Sequence, residues 1–391
     1  MKIAILTQPL KYNYGGILQC YALQAILESM GHNVIVLNRR YPKPNARLLT
    51  LRFGSIAKCI IRKYIMGDKK IEIMSPWGED YYIEKYTDDQ KKGRLEIGRF
   101  INHYIHLTRP LLSSSELAKY VENSDIECII VGSDQVWREI YAPCIEDYFL
   151  GFLPEKDKRL KITYAASFGN ADSPISEKHL NRCIRFSKCF SAISMREYSG
   201  VELMKHTFGH DAAYVLDPTL LLSAEQYTFD TSENETGGLV SYVLDENDTK
   251  NQMIKMVADR LQIVKKKRIG ISMNVNDGDT ILIPSIENWL AAFANAEFVV
   301  TDSFHGCVFS IINQKPFIVI ANKGRGLDRF TSILRAVGLE DRLVYSFEDL
   351  ESRISRLAQP IDYNVVTDKL NVLREQSLNY LKKHTKGEIP N

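Results

Sequence analysis

The stretch Phe298–Ile320, FVVTDSFHGCVFSIINQKPFIVI, carries the pattern that decides the fold. Phe298–Thr301 is a short continuous apolar run, which predicts a strand buried on both faces. Asp302–Gly306 reads as a polar turn, Cys307–Asn313 as a buried helix and Pro316–Ile320 as a second buried strand. That order suits an open α/β sheet, where ligands sit beyond the carboxyl ends of the strands and helix N-termini present free N–H groups. Asp302, Ser303 and His305 fall at that point. A histidine there can donate to an anion, and the start of a helix favours negative charge. An ordinary strand-to-helix turn with His305 as its cap is the competing reading.

Upstream of this stretch, the same rhythm predicts strands at Leu239–Leu244 and Arg268–Ser272 and helices at Thr249–Leu261 and Ile286–Asn295. Downstream, Asn322–Phe330 is a glycine-loosened loop bearing Lys323, Arg325 and Arg329, able to close over an anion or simply to stand in solvent. A short strand at Leu343–Tyr345 and a long helix at about Val365–Lys383 complete this half, the helix expected to pack back on the first domain. The polar, glycine-containing Ser232–Gly238 predicts the end of an inter-domain linker.

The first half repeats the rhythm. Lys2–Thr7 predicts a strand, Tyr12–Gly16 a turn, Ile17–Met30 a helix closed by Gly31, and Asn33–Asn38 the next strand. The fingerprint GxGxxG is absent, but Gly15 and Gly16 allow close backbone approach to a ligand at a helix start. Strands are predicted again at Cys128–Val131, Lys161–Ser167 and Phe190–Ser194, with helices at Ser113–Val121 and Glu177–Cys189. Asp134 lies just past the first of these strands, where it can act on a ligand or cap the following turn. Arg196 lies past the third, placed to clamp a phosphate or carboxylate or to pair with Glu197 or Asp211. Between the second strand and this run, residues 48–108 break the pattern. They hold a basic amphipathic segment, with Arg52, Lys58, Arg62, Lys63, Lys69 and Lys70 around an apolar stripe. Such a segment can lie on an anionic membrane or be an inserted helix with one packed face.

A chain of 391 residues exceeds one ordinary core, so two domains are expected. The expected division is an N-terminal α/β domain over 1–225 with a helical insert at about 48–108, a C-terminal α/β domain over 226–360, and a C-terminal helix over 361–391. Two doubly wound Rossmann-like domains facing a cleft follow, an α/β arrangement of the GT-B type. With 50 Lys+Arg against 48 Asp+Glu, no global nucleic-acid footprint is visible. Seven scattered cysteines without a CxxC pair argue against both disulfides and zinc. No metal and no cofactor are expected. The start MKIAILTQPL lacks a signal-peptide core, and no apolar run is long enough to span a membrane. A cytoplasmic chain is expected, with membrane contact through 52–70 as the open addition.

Six motifs together resemble the polysaccharide pyruvyl transferase family: NYGGILQCYALQ (Asn13–Gln24), VGSDQVW (Val131–Trp137), YAASFG (Tyr164–Gly169), SMREYSG (Ser194–Gly200), VLDPTLLL (Val215–Leu222) and TDSFHGCVFSIINQKPFIVI (Thr301–Ile320). They occur in the family's order and span most of the chain. The resemblance implies a GT-B-like, metal-independent enzyme. Such an enzyme moves the enolpyruvyl group of phosphoenolpyruvate onto two hydroxyls of a surface-polysaccharide saccharide, giving a pyruvate ketal. It implies donor binding by Arg196 and His305. Many relatives carry an arginine two residues before the histidine, where this chain has Ser303, so Lys323, Arg325 or Arg329 becomes the expected substitute. Ketal formation needs an acid and a base. His305 is the expected acid or phosphate stabiliser, Asp134 the candidate base, and Asp302 a group that orients His305. Asn13, Tyr14, Gly15 and Gly16 are expected to face an acceptor sugar, free or lipid-linked. The alternatives are a nucleotide-sugar glycosyltransferase on the same frame, or a catalytically silent scaffold of polysaccharide assembly.

Overall fold

A computed structural model describes residues 1–42, 46–67, 88–169, 175–231, 237–270 and 280–385. The first half runs β1 (Lys2–Leu6), α1 (Tyr14–Ser29), β2 (Asn33–Val36), α2 (Ala46–Ile60), α3 (Asp88–Tyr104), α4 (Ser114–Glu122), β3 (Cys128–Asp134), β4 (Leu160–Ala166), α5 (Glu177–Ser187), β5 (Ser194–Met195), α6 (Tyr198–Leu203) and β6 (Ala213–Tyr214). The second half runs β7 (Leu239–Tyr242), α7 (Asp248–Leu261), β8 (Lys266–Gly270), β9 (Thr280–Leu282), α8 (Ile286–Asn295) and β10 (Phe298–Thr301). It continues through α9 (Phe304–Ile312), β11 (Phe317–Ile320), α10 (Leu327–Val337), β12 (Leu343–Val344), α11 (Phe347–Leu357) and α12 (Tyr363–Thr385).

These strands form two six-stranded sheets, ordered β2-β1-β3-β4-β5-β6 and β12-β11-β10-β7-β8-β9. Every strand pairing between neighbours is parallel. Parallel strands covered on both faces by helices explain the continuous apolar runs, and β1, β3, β7, β10 and β11 are buried along nearly their whole length. Counted within its own domain, the second sheet has the order 3-2-1-4-5-6 of a dinucleotide-binding fold. The strand order reverses between β1 and β3 in the first sheet and between β7 and β10 in the second. Those two reversals are where ligands bind in open sheets.

The opening stretch folds as strand, turn, helix and strand. Its helix begins at Phe304, earlier than the apolar pattern alone places it, because Ser303 serves as the N-cap and accepts a bond from the Gly306 amide. Of the expected linker, residues 232–236 lie outside the described residues; Gly237 and Gly238, at φ of 79° and 90°, lead into β7. Helix α12 returns to the first domain, where Tyr380 donates to the Thr163 carbonyl at 3.0 Å and Arg374 donates to the Leu220 carbonyl at 2.6 Å. Its first turn still touches the second domain, since the Tyr363 hydroxyl donates to the Lys315 carbonyl at 2.5 Å.

One apolar core runs continuously from the first domain into the second. Its centre is Tyr14, which stacks on Trp289 with ring centroids 5.4 Å apart and 11° between the planes. The Tyr14 hydroxyl donates to the Pro284 carbonyl at 2.6 Å. Tyr14 was expected at an acceptor sugar; it is instead fully buried, an inter-domain staple whose polar tip is satisfied by backbone.

Candidate active site

The two strand-order reversals face each other across a cavity of about 510 Å³. From the first domain come Gln8 beyond β1, Asn13 at the start of α1, and Asp134 and Gln135 at the end of β3. From the second come Leu244 beyond β7, Asp302 and Ser303 beyond β10, His305 in the first turn of α9, and Arg325 and Arg329. The first intrahelical donor of α9 is Cys307, bonding to the Ser303 carbonyl at 3.0 Å. The Phe304 and His305 amides therefore precede the hydrogen-bonded ladder, at the positive end of the helix.

Beneath the cavity lies a buried charge cluster. Arg196 donates to Asp134 at 2.5 Å and to Asp217 at 2.6 Å, and its Nε lies 3.9 Å from Glu197. All four side chains are almost wholly buried. Burial disfavours the charged guanidinium, yet Asp134, Asp217 and Glu197 overcome it and hold Arg196 more firmly protonated than usual. Burial likewise pushes the Asp134 carboxyl up, but Arg196, His305 and Arg329 outweigh it and leave the group below its ordinary range. Asp217 is also driven down: burial opposes ionisation, and His305, Arg196 and Thr219 overcome it. For Glu197 burial wins over Arg196, and its carboxyl is raised.

Arg196 was expected to clamp the donor. Its terminal nitrogens are already held by Asp134 and Asp217, so the residue braces the cavity rather than facing it. Asp217, which also accepts from the Thr219 amide at 3.1 Å and hydroxyl at 2.7 Å, lies in the VLDPTLLL motif and was given no role from the sequence. Its Oδ2 lies 3.7 Å from His305 Nε2. Asp217, not Asp302, is the carboxylate beside the histidine. Asp302 accepts from the Leu244 and Asp245 amides at 2.6 and 3.2 Å, from Lys250 at 2.7 Å and from Asn322 at 3.1 Å, tying the loops beyond β7 and β11 together.

The glycines expected to face a sugar do something else. A Cβ on Gly15 would sit 1.8 Å from Nδ1 of His305, so the imidazole rests on bare backbone of α1. Gly16 is buried, and a Cβ there would meet Asn13 at 3.0 Å. Only Asn13 of that group lines the cavity. Gly15→Ala is expected to displace the ring and lower turnover about 100-fold, the cost of misplacing a reacting group by roughly an ångström. Steady-state kinetics together with a structure of the variant check this.

Among the cations of the Asn322–Phe330 loop, Arg325 is held by both carboxylate oxygens of Asp245 at 2.7 Å. The hydrogen bond of Arg325 pulls Asp245 down to about 2. The side chain of Lys323 lies outside those described. Arg329 is different. It is buried, lines the cavity, donates to the Arg325 carbonyl through one terminal nitrogen and has an Nε with no hydrogen-bond partner. Burial, with Arg196 close by, lowers its pKa to about 10, leaving it a cation at neutral pH. Its guanidinium lies 5.2 Å from the Phe304 ring centroid, and that of Arg196 lies 4.8 Å from it. Ser303 lines the same wall, its hydroxyl engaged as the helix cap. Among the described residues, no group of three or more His, Cys, Asp or Glu is arranged to hold a metal ion.

Two Rossmann-like domains with a polar cavity at their facing strand reversals make this a GT-B fold. Comparison with one solved structure agrees. A putative UDP-N-acetylglucosamine 2-epimerase from Listeria monocytogenes aligns with a TM-score of 0.54 and 10% identity, over 100% of this chain and 99% of that chain. The UDP-GlcNAc 2-epimerase of Neisseria meningitidis aligns at 0.48 and 10% identity, over 97% and 100%. A UDP-glucosyltransferase from Polygonum tinctorium aligns at 0.48 and 8% identity, over 99% of each chain. A search of curated proteins returns no match. The family is set by sequence: residues 13–324 match polysaccharide pyruvyl transferase, and the chain belongs to that family.

Proposed function

We propose that the protein transfers the enolpyruvyl group of phosphoenolpyruvate to two hydroxyls of a saccharide, releasing phosphate and leaving a cyclic pyruvate ketal. The observation that carries this reading is the pairing of His305 and Arg329, both buried and both at the cavity wall beside the positive end of α9. Phosphoenolpyruvate bears a phosphate and a carboxylate, and a recessed arginine with an unused Nε and two helix-start amides suits such an anion. Arg329 then takes the place that an arginine at position 303 holds in many relatives.

The reaction protonates the methylene carbon, adds a sugar hydroxyl to the adjacent carbon, and closes the ring as the second hydroxyl displaces phosphate. His305 is the proton-carrying group, and the Asp217 carboxylate stands beside it, 3.7 Å from its Nε2. Asp134, which the sequence nominated as the base, is held ionised by Arg196. A carboxylate kept below its ordinary range is a poor base, so Asp134 orients an acceptor hydroxyl by accepting its hydrogen bond. Asn13, Gln8 and Gln135 stand on that same side.

Calorimetric titration tests the donor assignment. Phosphoenolpyruvate is expected to bind and a nucleotide sugar such as UDP-GlcNAc is not. Arg329→Gln is expected to weaken phosphoenolpyruvate binding about 10- to 100-fold, the loss of roughly 1.5–3 kcal/mol in charge-assisted hydrogen bonds. Tighter binding of the nucleotide sugar would transfer the assignment to a glycosyltransferase.

A further inference from the structure

The segment that follows β3, residues 135–141, is anchored at three points. Trp137 is buried, its ring stacked on Phe149 with centroids 4.8 Å apart and its indole N–H donating to the Tyr148 carbonyl at 2.9 Å. The Tyr141 carbonyl accepts from the Tyr41 hydroxyl at 3.2 Å, and the Gln135 carbonyl accepts from the Gln8 side chain at 2.5 Å. Between these anchors Arg138 makes two contacts. A terminal nitrogen donates to Gln135 Oε1 at 2.9 Å, and the guanidinium lies over the Tyr141 ring, 4.9 Å from its centroid. Gln8, Gln135 and Tyr141 line the cavity, and Arg138 braces two of the three without lining it itself. The half-buried Tyr141 has no part in the reaction as written above.

We propose that Tyr141 is the platform on which the pyranose ring of the acceptor stacks, with Arg138 as the positioning residue that holds it. The inference rests on the transfer reading for the statement that an acceptor sugar enters this cavity. The guanidinium takes one face of the phenol ring, which leaves the opposite face and the hydroxyl edge for a ligand. A pyranose has a face of C–H groups and a rim of hydroxyls. The C–H face packs on the electron-rich face of an aromatic ring and is removed from water there. The rim needs partners that both donate and accept, and side-chain amides do both. With one bond each already made inside the cluster, Gln8 keeps its carbonyl oxygen and Gln135 its NH2 group unengaged among the described residues. Asp134, on the same side, adds an acceptor for a sugar hydroxyl. An aromatic surface with a few placed polar groups is the usual make-up of a small-molecule site. Tyr141 is also near enough to Arg325 and Arg329 of the second domain to act on both electrostatically, so a ring stacked on it lies beside the donor cations.

Saturation-transfer NMR on the full chain, without phosphoenolpyruvate, tests the platform apart from the chemistry. The probes are the methyl glycosides of glucose, galactose and mannose, with uridine as the competitor that would also stack on a ring. When the aromatic protons of the wild type are irradiated, at least one glycoside is expected to receive saturation, most strongly on the C–H protons of one ring face. Tyr141→Leu is expected to remove that transfer, and Tyr141→Phe, which restores the ring, to restore it. In the transfer assay Tyr141→Leu is expected to raise the KM for the acceptor about 10-fold, the worth of one buried ring face, with the Kd for phosphoenolpyruvate unchanged. Arg138→Met is expected to raise the same KM about fivefold, since it loosens both Gln135 and the ring. The absence of saturation in every glycoside with the wild type would overturn the proposal. Equal saturation in Tyr141→Leu, or saturation of uridine in place of the glycosides, would do the same. Glycoside binding that Tyr141→Leu removes, in a protein that consumes no phosphoenolpyruvate, would uphold the platform and overturn the donor reading instead.

Discussion

Replacing His305 by alanine is expected to lower kcat for phosphoenolpyruvate-dependent transfer by about 1,000-fold, while the Kd for phosphoenolpyruvate changes only a few-fold. The magnitude is that of removing a positioned general acid. The separation of the two constants follows from the geometry. On the proposed reading Arg329 and the start of α9 hold the anion whether or not the imidazole is present, whereas no other imidazole among the described residues lines the cavity. The fold is expected to survive, because Asp217 keeps its bonds to Arg196 and to Thr219. Rapid-quench turnover and calorimetric binding on the same preparation separate the two effects. Wild-type turnover in this variant would remove His305 from the chemistry.

Arg196→Met is expected to destabilise the protein by about 3–5 kcal/mol, the cost of leaving buried carboxylates without their cation. The pH dependence carries a specific sign. Asp134 and Asp217 are held below the ordinary carboxyl value of 3.8, so in the wild type they contribute stability that is present above that value and lost as pH falls below it. Without Arg196 that contribution shrinks, and Glu197, already raised by burial, loses its nearest opposing charge. The variant should therefore lose most stability near neutral pH and recover toward the wild type in acid. Thermal unfolding across pH measures this. If Arg196 were a direct donor clamp, the variant would keep its melting temperature and lose only phosphoenolpyruvate affinity.

The sequence made the scaffold legible because parallel strands buried on both faces leave unbroken apolar runs, as at Phe298–Thr301 and Phe317–Ile320. Among the elements that escaped that reading is the six-residue helix α6, Tyr198–Leu203. Another, the edge strand β9, Thr280–Leu282, is only three residues long. Helix α11 was also passed over, although Ser346, whose side chain accepts from the Asp349 amide, is a cap signal that could have announced it. At the site, the histidine and the basic loop were visible because their residue types announce anion chemistry at a predicted helix start. Which cations remain available was not, since that depends on carboxylates distant in sequence. Asp134 and Asp217 occupy Arg196, and Asp245 occupies Arg325. The role of Gly15 was equally hidden. Its glycine-rich turn reads as a ligand cradle, yet what approaches its backbone is a side chain from the other domain.

Mass spectrometry of products formed from phosphoenolpyruvate and a panel of free and lipid-linked glycosides tests the central claim most directly. The account predicts that one acceptor gains the mass of pyruvic acid less one water, with release of one phosphate, and that Arg329→Gln slows both in step. An acceptor that gains a hexose from a nucleotide sugar, with phosphoenolpyruvate left unconsumed, would contradict it.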